Sequence, residues 1–418
     1  MAGEVENLRF GSGRLARLLL AVEDGVSGAL DDLWDSVRRD GAPLIEPRNE
    51  TPGSARVTFL WRGDASLRNV VVVGGVAGYD FEANTMSHLP GTDVWAKTYE
   101  VPDDTRTTYW LAPNDSLVPA SEVTDWPSRA VTWAPDPLNP RTFSVGEDGE
   151  RLTWSVLELP NAAPQEWLEP RFDIPAGEVT RYDITGKVSG LTRPVWVYSP
   201  GGAVASAGGN LVVLLDGAAY LDPIPTPTIL DNLTAAGLIA PTVAVMVDSS
   251  RPEQRARELT DFDGLAAFLA DELVPWVQAR WPVTVAPGRT VIGGSSLGGL
   301  ASTVVAMSRP DVFGNVLSQS GAFWWCPRDR PNSDDWLEQR LSAKGADQVS
   351  CYLEVGKFEA LGLEGDTLAA NRRIREALAR SGAVVHYSEF AGGHDYLCWR
   401  GSLADGLLAL LPKPSRRA

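Results

Sequence analysis

The chain has 418 residues, 44% of them apolar, with 37 basic against 54 acidic side chains and a net charge of −17. That length exceeds one ordinary hydrophobic core and predicts two domains. The acidic balance argues against a nucleic-acid partner, since a phosphate backbone needs a basic face, and no apolar run is long enough for a membrane span.

The start, Met1-Ala-Gly-Glu-Val-Glu-Asn7, lacks the charged-then-apolar pattern of an export signal, so a cytoplasmic location is expected. Helical periodicity then runs over residues 12–38 through Leu15, Leu18, Leu19, Leu30, Leu33 and Trp34. Short strands follow at Ala55–Trp61, Val70–Val73, Trp95–Val101 and Thr107–Leu111, separated by Gly/Asp/Pro turns, and predict an antiparallel sandwich. Pro135-Asp-Pro-Leu-Asn-Pro140 and the stretch from Pro160 to Pro175 read as interdomain connections, because proline-rich chain extends and resists helix.

Beyond residue 178 the pattern changes. A hairpin, Val179–Ser199, precedes the continuous apolar run Asn210-Leu-Val-Val-Leu-Leu-Asp-Gly217. Strand Thr242–Val247 and an amphipathic helix, Asp261–Trp281, come next. Strands at Val316-Leu317, Tyr352–Val355 and Ala383–Phe390 alternate with helices Thr367–Arg380 and Leu403–Leu411. Alternation of this kind predicts a mainly parallel sheet covered on both faces. The division expected is 1–160 for a helical segment plus sandwich, 161–177 for a linker and 178–418 for an α/β domain.

Within that second half, Gly294-Ser-Ser296-Leu-Gly298 lies between an apolar β-rich run and the helix-compatible run Leu300–Met307. In this setting Gly-x-Ser-x-Gly is the sharp turn that raises a serine hydroxyl above a parallel sheet. The competing reading is a glycine-rich turn with an idle serine. A serine needs a base, and His394 in Phe390-Ala-Gly-Gly-His394 follows the last strand, at the same sheet edge as the turn. Of the other histidines, His386 falls inside a strand, as a packed or paired residue, and His88 in a front-domain loop. The base needs an acid, expected after strand Tyr352–Val355: Glu359 first, then Glu364 and Asp366, with Asp395 as an outlier. Oxyanion donors are expected at the amides of Leu297 and, after the Asp216-Gly217 turn, Ala218.

Trp324, Trp325 and Arg328, then Trp399 and Arg400, and the loop arginines Arg251, Arg255 and Arg257 also follow strand ends. Together they suit a flat, anionic aromatic ligand. Against this stands plain packing of the tryptophans and pairing of the arginines with Glu258 or Asp263. Cys326, Cys351 and Cys398 have no metal-ligand spacing and read as buried thiols of a reducing compartment. Three histidines exclude a His-rich metal site.

From about residue 55 onward the sequence resembles the enterochelin (enterobactin) esterases, within the esterase D-like α/β-hydrolases. The resemblance rests on Val57-Thr-Phe-Leu-Trp-Arg62, Gly91-Thr-Asp-Val-Trp95, Asp136-Pro-Leu-Asn-Pro140, Leu214-Leu-Asp-Gly217 and Arg255-Ala-Arg-Glu-Leu259. It continues through Gly298-Gly-Leu300, Leu317-Ser-Gln-Ser-Gly-Ala-Phe-Trp-Trp325, Gly392-Gly-His-Asp395 and Cys398-Trp-Arg400. It implies an α/β-hydrolase catalytic domain behind an immunoglobulin-like sandwich that helps shape the substrate cleft. It also implies a cytoplasmic enzyme that cuts the ester backbone of a catecholate siderophore, apo or ferric, to release iron. By position Ser296, His394 and Glu359 match the family's nucleophile, base and acid, and Arg255 its arginine ahead of Glu-Leu. Ala218-Ala-Tyr-Leu221 replaces a bulky tryptophan of relatives, and Leu297 an aromatic, both at the pocket.

The expected protein is therefore a serine esterase without metal or cofactor, iron arriving only with the substrate. It acts as a monomer or homodimer, with no nucleic-acid or membrane partner. An esterase of the same frame acting on an unrelated carboxylic ester is the alternative, and a ligand-binding protein that no longer turns over is a third.

Overall fold

A computed structural model describes residues 11–48, 50–64, 66–146, 151–201, 208–284, 286–327, 335–362 and 365–411. They fall into two compact units, the first made of Met1–Ala163 with Lys357–Gly365 and Ala391–Asp395, the second of the rest.

The first unit opens with helices α1 (Gly13–Glu23) and α2 (Ala29–Asp40). Ser12 caps α1 by accepting from the Leu15 amide, which satisfies a donor the helix leaves open. Strands β1 (Leu44–Pro47), β2 (Ser54–Arg62), β4 (Ser87–His88) and β5 (Val94–Pro102) form one antiparallel sheet in the order β1-β2-β5-β4. Strands β3 (Val70–Val73), β6 (Arg106–Pro113), β7 (Thr142–Val145) and β8 (Leu152–Glu158) form a second, ordered β3-β6-β8-β7, with the short helix α3 (Trp126–Ala130) ahead of β7.

Period-two alternation on β2 separates two cores. Val57 and Phe59 join Val70, Val72, Tyr109, Leu111 and Leu157 in the core shared with the second sheet. Leu60 turns the other way, into a cluster with Leu15, Leu18, Leu19, Trp34 and Val37. The amphipathic helices of the N-terminal segment therefore cover the outer face of the first sheet.

Pro135–Pro140 is not an interdomain connection. It lies inside the first unit, where Asp136 and Asn139 are buried. Tyr109 donates to the Asp136 carboxylate at 2.8 Å, and Asn139 Nδ2 donates to the Val156 carbonyl at 2.9 Å. The prolines extend the chain through a corner whose polar groups are satisfied locally.

The second unit is built on one eight-stranded sheet, ordered β16-β15-β14-β13-β11-β12-β10-β9. Strands β9 (Glu178–Thr185) and β10 (Thr192–Ser199) are the antiparallel edge, and β10 meets β12 (Thr242–Val247) antiparallel. From β11 (Asn210–Leu215) and β12 through β13 (Thr290–Ser295), β14 (Asn315–Gln319), β15 (Ser350–Gly356) and β16 (Val384–Phe390) the pairing is parallel. Both faces of β11 to β14 are buried, which is why these strands read as unbroken apolar runs.

One face carries α4 (Thr226–Ala235) and α11 (Tyr396–Leu410). The other carries α8 (Leu297–Ser308), α9 (Trp336–Lys344), α10 (Thr367–Arg380) and the helical stretch after the short α5 (Arg255–Thr260). The helix expected over 261–281 is α6 (Phe262–Ala267), a π-helical segment (Phe268–Leu273) and α7 (Val274–Gln278) in sequence. Among the described residues no helix is long and apolar enough to cross a membrane.

A polar network crosses this core. Gln319 donates to Glu354, and Tyr220 and Tyr352 donate to Gln319 and Glu354 respectively. Ser402 also donates to Glu354, tying α11 to β15. Burial pushes the Glu354 carboxyl up to about 7. A carboxyl raised above its unfolded value, about 4.3, contributes stability that is complete below that value and is lost as pH climbs through the folded one. Urea melts of the wild type should therefore lose about 2 kcal/mol between pH 5 and pH 8 relative to Glu354→Gln, whose side chain does not titrate. Parallel pH profiles for the two proteins would refute an ionisable Glu354.

Candidate active site

Ser296 stands between the end of β13 and the first turn of α8, with φ 55° and ψ −121°. A non-glycine residue with this backbone is strained and persists only where its surroundings fix it. The fixing bonds are on the backbone. The Ser296 amide donates to the Gln319 carbonyl at 2.9 Å, and its carbonyl accepts from Ala322 at 3.0 Å and Leu300 at 3.1 Å. The flanking glycines are required by contact: a Cβ on Gly294 would lie 2.7 Å from the Gly298 carbonyl carbon. The serine side chain is left half-buried, and Leu297 is the first helical residue, whose N–H has no partner within the helix.

Asp216, at φ 62°, ends β11 beside this turn, where a Cβ on Gly298 would sit 3.0 Å from its Oδ2. Arg255 grips that carboxylate with two bonds, Nε to Oδ1 at 2.5 Å and Nη2 to Oδ2 at 2.7 Å. Asp248 was not anticipated. Burial pushes its carboxyl up, and Asp216 adds to the shift, against the opposing pull of the Ala218 amide. That amide donates to Asp248 Oδ2 at 3.3 Å. Glu258 takes Arg193, at 2.8 Å, rather than a loop arginine, and Arg251 and Arg257 are exposed.

His394 and Glu359 both belong to the first unit. The Glu359 carboxylate is 1% exposed and its Oε2 lies 2.7 Å from His394 Nδ1, while the imidazole is 40% exposed. Glu359 occupies the single helical turn Lys357–Leu361, immediately after β15, and His394 follows β16. Of the alternative acids, Asp366 instead caps α10, accepting from the Ala369 amide at 2.8 Å. Glu364 lies outside the described residues. Asp395 instead accepts from Thr107 Oγ1 at 2.9 Å and the Thr108 amide at 3.0 Å.

His386 is exposed on the edge strand β16, not packed, because its side chain falls on that strand's solvent face. His88 is exposed as well, against the Trp95 ring. Trp399 is 4% exposed, with its indole N–H donating to Ser320 at 3.0 Å, so it fills core space rather than a ligand mouth. Trp325 packs edge-on to Phe262 and Trp336, and Trp324 is partly buried against the same core. Arg400 donates to Gln165 at 2.9 Å, and Arg328 lies outside the described residues. Of the cysteines, Cys351 and Cys398 are buried and Cys326 half-buried.

Residues 188–410 match a family described as putative esterases, and residues 56–168 match the enterochelin esterase N-terminal family. The iron(III) enterobactin esterase of Dickeya dadantii is 32% identical across 96% of each chain. The iron(III) salmochelin esterase of Escherichia coli is 29% identical, over 96% of this chain and 98% of that one. Among solved structures, the ferric enterobactin esterase of Salmonella typhimurium matches with a TM-score of 0.72 at 29% identity, over 91% of this chain and 98% of that one. An enterobactin esterase of Shigella flexneri, crystallised in the presence of enterobactin, matches at 0.68 with 28% identity, over 91% and 97%. Matched along almost its whole length, this chain belongs to the enterochelin (enterobactin) esterase family.

Proposed function

We propose that the protein hydrolyses the ester backbone of a catecholate siderophore through a triad of Ser296, His394 and Glu359. The observation that carries the triad is the 2.7 Å contact between Glu359 and His394 Nδ1. It favours the tautomer in which Nε2 accepts a proton. The strained turn at Ser296 supports the nucleophile, and Ser296, Glu359 and His394 follow the carboxyl ends of β13, β15 and β16 in the chain.

Ser296 Oγ attacks the ester carbonyl while His394 Nε2 removes its proton. Glu359 steadies the imidazolium, and the Leu297 and Ala218 amides hold the oxyanion, Ala218 giving up its long bond to Asp248. His394 then protonates the leaving serine alcohol of the substrate, and water frees the acyl group by the reverse sequence. This chemistry needs no metal or cofactor; iron comes with the substrate. Arg255, Trp324, Trp325, Arg328 and Arg400 are the proposed substrate contacts, and Arg255 reaches the site as the partner of Asp216.

In the same reading residues 1–160 include an immunoglobulin-like sandwich, 161–177 a linker and 178–418 an α/β-hydrolase domain. The enzyme is cytoplasmic, monomeric or homodimeric, and works without nucleic-acid or membrane partners. Relatives named for enterobactin and salmochelin support the substrate class. The test is product analysis after incubation with ferric and iron-free catecholate trilactones beside a panel of simple esters. Linear acyl-serine fragments are expected at rates well above the panel. Turnover of simple esters with intact trilactone would overturn the substrate assignment.

A further inference from the structure

We infer that Asp395 is a positioning residue, whose carboxylate clamps the turn carrying His394 to strand β6 of the same unit. The inference rests on His394 being the base.

The clamp begins in the sheet. Strand β3 pairs only with residues 110–113 of β6, and β8 pairs with residues 106–109 on the other side. Gly74 and Gly75, at φ 78° and 52°, end β3 and turn its chain away. The amides of Arg106 and Thr108 are thus left without a β3 partner, and buried amides demand one. The segment 391–395 supplies it. Arg106 N–H donates to the Ala391 carbonyl at 2.9 Å, and Thr108 N–H donates to Asp395 Oδ2 at 3.0 Å. The same oxygen accepts from Thr107 Oγ1 at 2.9 Å and from Thr108 Oγ1 at 3.3 Å.

Thr107 and Thr108 are buried, so the carboxylate is held by donors that cannot turn to water. Gly393 permits the close approach: a Cβ there would meet Thr107 Oγ1 at 3.0 Å. The acid's turn is fastened to the same place. Phe358 donates its amide to the Gly392 carbonyl at 3.1 Å, and its ring packs on the apolar core shared by the two sheets. Tyr79 belongs to this corner too. Burial, with the Asp395 and Glu359 carboxylates acting in the same direction, pushes its hydroxyl up to about 12.

Base and acid are therefore mounted on the first unit's sheet, and Asp395 is a charged group in the mounting that bonds to β6 through its side chain. A displaced base costs rate rather than affinity, since about 1 Å of misplacement can cost about 100-fold. Asp395→Ala should lower kcat on an activated aryl ester about 10- to 100-fold with KM within about threefold. In a His394→Ala background the same change should cost nothing more, because its effect runs through the imidazole. Thr107→Val should lower kcat in the same sense, and Thr107→Ser, which keeps the hydroxyl, should restore it.

A second readout needs no substrate. The low-field proton resonance of the His394 Nδ1–H, bonded to Glu359, should shift or broaden in Asp395→Ala while the far-UV spectrum is unchanged. Wild-type kcat and an unmoved resonance in Asp395→Ala would overturn the clamp, as would equal fold-losses in both backgrounds. Should Asp395→Ala fail to fold, the Thr107 pair decides by the same two measurements. Full activity in His394→Ala would remove the base itself, leaving the resonance to judge the clamp, so the two failures are told apart.

Discussion

Ser296→Ala is expected to lower kcat on an activated aryl ester by at least about 10⁴-fold, the scale seen when a triad serine is removed. The loss should be chemical, not structural. The bonds that hold residue 296 at positive φ all involve its amide and carbonyl, with Gln319, Ala322 and Leu300 as partners. Alanine keeps every one of them. The neighbouring glycines set the steric frame, and they are untouched. The thermal midpoint should accordingly stay within a few degrees of wild type, and siderophore binding, followed by tryptophan fluorescence, should survive. The residual rate would measure what the oxyanion donors and binding supply alone. A loss below about tenfold would mean that another group attacks, and the triad would have to be abandoned.

The parts legible in the sequence are those where local chemistry and the fold agree. Asn210–Leu215, Thr242–Val247 and Thr290–Ser295 are buried on both faces, so their composition announces a covered parallel sheet without periodicity. The serine turn is legible because a tight strand-to-helix reversal leaves room only for glycine two residues either side. Glu359 could be ranked first because it is the first carboxylate after strand Tyr352–Val355, and it is the one the structure brings to His394. Asp366 illustrates the opposite case: an acidic residue ahead of a helix is equally a cap, and the structure uses it so.

What stayed hidden depended on contacts distant in sequence. Thr107 and Thr108 are nearly three hundred residues from Asp395, and nothing local marks them as its donors. The Asp216 carboxylate that takes Arg255 is hidden in what reads as a strand-ending turn. Trp399, beside an arginine after the base, has the composition of a ligand wall, yet the fold turns it inward onto Ser320. Pro135–Pro140 has the composition of a linker, but the partners that bury Asp136 and Asn139 come from β6 and β8. In each case residue type limits the possible roles, and tertiary placement selects one.

Glu359→Gln should lower kcat by about 10²- to 10⁴-fold, the range expected when the acid partner of a catalytic histidine loses its charge. Glutamine matches glutamate in size, so a side chain only 1% exposed can be exchanged without opening a cavity. Two outcomes are open to its amide, and both slow the reaction. With the carbonyl toward Nδ1 the tautomer is kept, but the imidazolium formed in the transition state faces a dipole instead of an anion. With the NH2 toward Nδ1 the tautomer is reversed, and Nε2 carries the proton it should accept. Asp366→Asn supplies the contrast. It alters a helix cap whose loss costs about 1 kcal/mol of stability or less, and kcat should stay within about twofold because the cap touches no reacting atom. Steady-state kinetics of the two variants on one ester, with melting curves beside them, decide the acid. If Asp366→Asn loses more rate than Glu359→Gln, the 2.7 Å contact with His394 is structural and the relay runs elsewhere.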